Sequence, residues 1–242
     1  MFIEPELTEE GWLAASDWYD AEWMLRRLWW DTTGRRVEAT LPTPRKSRLS
    51  ACACARAIWS DMPDDNCRIG VEVAERHIEG EATLAESLAA SEAIFDRLEP
   101  LLGTETDRRL ESAYTLSWMA AAPVFTAHDG REERSTVDRS EDWKVLYHLR
   151  RLAPTGFNPA DLLRCIFGNP FRPVTVDPCW LTSTAVAIAK TIYEERAFDR
   201  LPILADALED AGCDEPALLD HCRSDGTHVR GCWAVDLVLG KQ

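Results

Sequence analysis

The chain has 242 residues, 45% of them hydrophobic and 29% charged, with a formal net charge of −15. That balance suits a folded globular protein with a sizeable core and excludes a disordered polyelectrolyte. So acidic a surface repels phosphate backbones and disfavours nucleic acid as a partner. The acidity is spread along the chain. Residues Met1 to Thr40 hold nine acids against four bases, and Leu201 to Gln242 eight against three. No block of like charge forms a tail.

The start, MFIEPELTEEGW, has neither a basic segment nor an apolar stretch of the signal-peptide kind. No run approaches the roughly 18 apolar residues of a membrane span. The expected location is the cytoplasm, where the eight cysteines would be mostly reduced and packed as small apolar residues. Five of the ten tryptophans fall within the first 30 residues: Trp12, Trp18, Trp23, Trp29 and Trp30. Burial against the rest of the chain accounts for them most simply. The sharper reading is a partner-binding surface, because exposed Trp is enriched at interface hot spots.

Helix signals dominate in chain order. Asp20 can cap a helix through Trp30. Arg45 to Trp59 is apolar on nearly every side and predicts a buried helix. Asp65 or Asn66 can start the next, which ends at Gly80. Thr83 and Glu86 form a capping box for a helix to about Leu102, stopped by Gly103. Thr104 with Asp107 opens a helix through about Ala121, closed by Pro123. Residues 126–139 are polar and carry Gly, which predicts a loop. Ser140 to Leu152 reads as a helix, and Asn158-Pro159 as the cap and first residue of one ending at Gly168.

The cluster Gly168-Asn169-Pro170-Phe171-Arg172-Pro173 enforces an extended connection, with short extended pieces possible around Val174-Thr175-Val176. Thr182 can cap Ser183 to Arg196. Leu201 to Ala211 forms an amphipathic helix, Asp214 caps a short one through Pro216, and a last helix runs near His228 to Leu239. Nothing alternates with period two for long enough to make a confident strand. The expectation is an all-α protein, a multi-helix bundle or helical-hairpin stack with short connections. It would form one domain over 1–242, or two parts, 1–125 and 140–242, joined by a loop at 126–139.

The densest set of potential ligands is C-terminal: Cys213, His221, Cys222, His228 and Cys232. The residue types suit tetrahedral zinc, but no C-x2-C or H-x3–5-H pair is present, and adjacent His221 and Cys222 on a helix point about 100° apart. The reading therefore favours packing and predicts no cofactor, with zinc as the alternative. Cys52 and Cys54 lie on nearly opposite sides of a helix and read as packing. His128-Asp129 is read as a turn, His77 and His148 as helix-end residues, and the carboxylates of Glu72 to Glu75 and Glu194-Glu195 as members of surface salt bridges. A second candidate is an anion pocket in the groove between residues 162–173 and the C-terminal helices, formed by Arg172, Arg196, Arg200, His228 and Arg230. Structural salt bridges are the simpler account of those arginines. The chain holds no phosphate-cradle, dinucleotide, nucleophile-elbow or H-E-x-x-H motif.

The strings RLSACACARAIW (Arg48 to Trp59), GVEVAERHIEG (Gly70 to Gly80), LLRCIFGNPFRPV (Leu162 to Val174), RAFDRLPILADALEDAGCD and HVRGCWAVDLVLGK together resemble a bacterial family found as many paralogues in planctomycete-type genomes. The resemblance implies no catalytic residues. The rhythm of Phe198 to Asp214 is similar to the repeat-companion module: Leu201, Ala205-Asp206, Leu208-Glu209 and Gly212 match, while Leu204 and Ala207 replace its Tyr and Trp. That module accompanies interaction proteins, so the likeness implies an interaction role. The expected function is a protein-interaction or adaptor module with a protein partner, and the lean is against an enzyme. The alternatives are a metal-binding or enzymatic protein using the C-terminal Cys/His set, or an acidic inhibitor that mimics nucleic acid.

Overall fold

The computed structural model describes residues 7–29, 43–102, 107–122 and 144–241. The expected loop at 126–139, His128-Asp129, Trp30, Gly103, Thr104 and Pro123 lie outside the described residues, as does the side chain of Trp29.

Among the described residues there are twelve α-helices and no strand. They are α1 (Glu9–Ala14), α2 (Trp18–Trp29), α3 (Pro44–Arg56), α4 (Asp65–Ile78), α5 (Leu84–Leu98), α6 (Arg108–Ala121), α7 (Lys144–Leu149), α8 (Pro159–Phe167), α9 (Ser183–Glu195), α10 (Leu201–Asp210), α11 (Pro216–Arg223) and α12 (Trp233–Leu239). The protein is all-α, a multi-helix bundle. None of the described helices is long and apolar enough to cross a membrane.

Local chemistry explains most boundaries. The Thr83–Glu86 capping box starts α5, with the Glu86 carboxylate accepting from the Thr83 N–H at 2.7 Å. Asn158 caps α8 with Pro159 at its first position. Three caps differ from expectation by one to three residues. Asp17 accepts from the Tyr19 and Asp20 N–H groups at the start of α2, and Asp20 itself reaches back to the Ser16 N–H. Asp64 caps α4 and Glu215 caps α11. Asp65 and Asp20 sit inside their helices and Asp214 one position before its own, so none of them is placed to accept from the exposed first-turn N–H groups. The last helix begins at Trp233, so residues 224–232 run as irregular chain. Gly231, at φ +91, lies in that segment, and a Cβ there would meet the Leu49 side chain at 2.9 Å. Only glycine serves there.

Two apolar cores result. In the first, α4, α5 and α6 pack on one another, α3 lies across α4 and α6, and α2 and α7 complete the layer around Trp12, Met24, Leu25, Ile58, Val71, Ile94 and Leu116. In the second, α9 packs on α10 and α12, and α10 on α11, around Ala185, Ile192, Leu201, Leu204, Leu208, Leu218 and Val235. Helix α8 touches both: Leu162, Leu163 and Ile166 belong to the first core and Cys165 to the second.

Trp12 is fully buried in the first core, and Trp18 and Trp23 are half-buried against it. Trp12 therefore packs and offers nothing to a partner. Helix α1 is fixed to α8 by Arg164, whose guanidinium donates to the Trp12, Leu13 and Ala15 carbonyls. These carbonyls end α1 without partners of their own along the helix, so one side chain closes the helix and ties it to the next layer.

Polar side chains fill the seam between the cores. Asp236, 2% exposed, accepts from Arg45 at 2.7 Å and from Lys46 at 2.6 Å, and Lys46 also donates to the Ile166 and Gly231 carbonyls. Glu79 accepts from Arg45, Tyr193 and Lys241. Burial opposes the Glu79 charge, yet these three donors hold its carboxyl below the usual range.

Candidate metal centre

Four side chains from three separate stretches converge beside the second core: Cys165 of α8, His221 of α11, and His228 and Cys232 of the irregular segment before α12. Their potential ligand atoms all lie within 4.8 Å of one another. His221 Nε2 is 3.2 Å from Cys232 Sγ, and His228 Nδ1 is 3.8 Å from Cys165 Sγ. The two imidazoles meet edge to face, with centroids 4.9 Å apart. Bond lengths of about 2.0–2.3 Å to zinc place tetrahedral ligands about 3.3–3.8 Å from each other. The cluster is therefore within a few tenths of an ångström to an ångström of a closed Cys2His2 site and could hold a metal.

The supporting chemistry points the same way. The Ser224 carbonyl lies 3.1 Å from His228 Nε2. A proton on Nε2 satisfies that carbonyl and leaves the Nδ1 lone pair facing the sulfurs, the arrangement by which a neighbouring carbonyl orients a metal-binding histidine. Burial opposes ionisation of the Cys232 thiol, but hydrogen bonds from Cys165, His221 and His228 outweigh it and bring its pKa well below the ordinary value. Cys165 moves the other way, pushed up by burial and by the neighbouring Cys232. One thiolate is thus held in advance by three neighbours. Both sulfurs are 1% exposed, so they face one another and the imidazoles rather than solvent.

The sequence expectation gathered the correct region and the wrong set. His221, His228 and Cys232 come together. Cys213 and Cys222 do not join them: both are buried in the second core, and burial pushes the Cys222 thiol up to about 12. The fourth member is Cys165, 56 positions before His221 in the chain. It lies in the apolar run LLRCIF and carries no ligand-like spacing. Cys52 and Cys54 are buried in α3, each pushed up to about 12 by burial.

The five members of the expected anion pocket separate. Arg172 is 76% exposed and pairs with Glu9 at 2.6 Å, and Arg200 reaches Glu195 at 3.5 Å on the surface. Arg196, His228 and Arg230 stay together, but they line a different cavity from the groove where convergence was expected. That groove does exist. It has a volume of about 520 Å³ between the end of α8, residues 168–176 and α12, with Phe167, Val174, Val176, Trp233 and Leu237 on its walls and Arg172 the one expected residue on its lip. Glu75, expected on the surface, is buried and held by Arg56 at 2.8 Å and by Arg196. A carboxylate on the inner face of α4 needs such partners to offset its lost hydration.

No family model, curated protein or solved structure matches the chain.

Proposed function

We propose that the protein is a zinc-stapled helical module that works by binding a protein partner. The observation behind the metal reading is the convergence of Cys165, His221, His228 and Cys232 within 4.8 Å, from α8, α11 and the segment before α12. Two thiolates and two imidazoles suit zinc, and four protein ligands make a structural site rather than one with an open catalytic position. The metal would tie α8 to the 224–232 segment and α11, joining the second core to the helix that also serves the first.

The test is metal analysis of the protein purified without chelator. Close to one zinc per chain is expected, and replacing the zinc with cobalt should give the absorption of a tetrahedral site with two sulfurs. Cys165→Ser and Cys232→Ser should lose the metal, while Cys213→Ser and Cys222→Ser keep it. Protein that retains no zinc, or equal loss from all four variants, would sink the metal reading.

The interaction role is supported by the 520 Å³ groove with its apolar walls, and by Phe171, 40% exposed in the segment that borders it. Such a groove is of the size that encloses a ligand or a partner's side chains. Native co-purification from the host should bring down a stoichiometric protein, and Val174→Asp with Val176→Asp should release it. A solitary protein under those conditions would count against this role and leave the zinc reading untouched.

A further inference from the structure

Beside the candidate metal centre, and sharing His228 with it, a cavity of about 180 Å³ is lined by Ala53, Arg56, Glu75, Arg196, Phe198, His228, Val229 and Arg230. Three arginines and one enclosed carboxylate line it. Glu75, 3% exposed at its side chain, takes Arg56 at 2.8 Å and also Arg196. A second acid, Glu72, reaches only the rim, 4.0 Å from Arg56 and more than half exposed. Guanidinium does not deprotonate in proteins, so the surplus positive charge persists at every working pH. In a chain of net charge −15, the partly enclosed cavity runs against the sign of the whole molecule.

The donors are not used up. Arg196 directs one terminal nitrogen to Glu75, and Arg230 directs one to the Tyr193 carbonyl at 3.3 Å while stacking over that ring. The Arg230 Nε is shut away from solvent and donates to nothing among the described residues. Each guanidinium carries five N–H donors in a fork that matches a tetrahedral oxyanion. Arg196 also sits in the left-handed backbone region at φ 56, the one non-glycine residue at positive φ among those described. It caps α9 in that conformation, which costs a non-glycine residue some strain and fixes where its side chain leaves the chain. Burial, aided by the nearby charges of Arg56 and Arg230, lowers its pKa against the pull of Glu75.

We propose that this cavity binds a small tetrahedral oxyanion of the phosphate class, gripped by Arg196 and Arg230 with Arg56 behind them. At about 30 Å³ per water, the space would otherwise hold roughly six waters, enough for a phosphate group and a short substituent. Ala53, Phe198 and Val229 give the apolar wall against which such a substituent would lie. None of its three arginines is a candidate metal ligand, and His228 is the one lining residue shared with the metal centre.

Inorganic phosphate titrated calorimetrically into the native protein, at ionic strength held constant with sodium chloride, should show one saturable site per chain. Arg230→Gln and Arg196→Gln should each weaken binding at least tenfold, while Arg223→Gln, on the surface with Asp206 and Glu209, should leave it unchanged. Arg196→Lys should fall between, retaining charge and losing the fork. Glycerol phosphate in place of phosphate separates the sources: tighter binding assigns the site to a phosphomonoester, weaker binding to the free ion, and both support the proposal. If Arg196→Gln does not fold, Arg230→Gln and the native titration decide. No saturable binding to the native protein, or equal binding to native protein and both glutamine variants, would overturn it.

Discussion

The two cores of this protein are stabilised by different physics. The first buries large side chains: Trp12, Met24, Leu25, Ile58, Ile94 and Leu116 are all essentially inaccessible. At about 25 cal/mol per Å² of apolar surface, such residues supply most of what a domain needs without special devices. The second is smaller, gathered around Ile192, Leu201, Leu204, Leu208, Leu218 and Val235, and Ala and Cys make up a similar share of the buried members of both. Around it stand the Cys/His cluster and the seam of paired charges on Asp236 and Glu79. The contrast teaches that the smaller helical layer is fastened to its neighbour by directional bonds as well as by packing, and those bonds make it sensitive to metal, charge and pH.

The largest expected effect comes from taking the metal away. Structural zinc in small sites is worth about 10–16 kcal/mol to folding, and even a fraction of that should show here. Chelation, or Cys232→Ser in protein that binds zinc, should lower Tm by more than about 10 °C. Hydrogen exchange should then accelerate in α9 to α12 and remain slow in α4 to α6. Uniform loss of protection across both cores would erase the distinction between them.

Next in size is the seam. Asp236 has two cationic partners and almost no exposure, so Asp236→Ala leaves Lys46 enclosed without a carboxylate and Arg45 with Glu79 alone. Removing one partner of a buried pair costs about 3–5 kcal/mol, measurable by chemical denaturation. A cost under about 1 kcal/mol would mean that water compensates these charges and that the seam does not fasten the layers.

The first core has its own titrating group. Burial, aided by Arg151 and Lys144, depresses His148 from an ordinary 6.5 to about 4. The folded protein therefore binds this proton less readily than the unfolded chain. The stability tied to neutral His148 is complete above pH 6.5, declines as the pH falls, and is gone below about 4. The loss should be on the order of 1–3 kcal/mol, and His148→Gln should flatten that part of the pH profile. An unchanged profile would mean that another group carries the acid sensitivity.

Much of the fold was legible because its signals are local. Thr83 with Glu86, Asn158 with Pro159, and Thr182 each declare a helix start within four residues, and all three caps form as read. The site was legible only in part. His221, His228 and Cys232 lie within twelve residues of one another, so they could be collected by eye, although expected helix continuity from His228 to Leu239 obscured their geometry. An irregular chain at 224–232 lets His228 and Cys232 turn to one point, and nothing in the local pattern but Gly226 and Gly231 marks that irregularity. Cys165 was out of reach altogether. Its side of α8 faces the second core through tertiary packing between helices far apart in sequence, which no spacing rule records. Glu75 was misplaced for a related reason: on α4 it resembles any surface acid until Arg196, 121 residues later, arrives opposite it.

The smallest effect separates a thiol that packs from one that ligates. Cys222 and Cys232 are both buried in the second core, and composition alone cannot tell them apart. Cys222 is surrounded so that its thiol is pushed up to about 12, the behaviour of a neutral apolar group. Cys222→Ala removes only a sulfur and a little volume, which should cost about 1 kcal/mol and leave the metal content unchanged. Cys232→Ala should cost several times more when zinc is supplied and about the same when it is chelated, because both then reduce to packing. That convergence on chelation would locate the difference in the metal rather than in the shape of the core. If the gap persisted without zinc, Cys232 would matter through its hydrogen bonds to the two histidines, and the second core would be fastened by those alone.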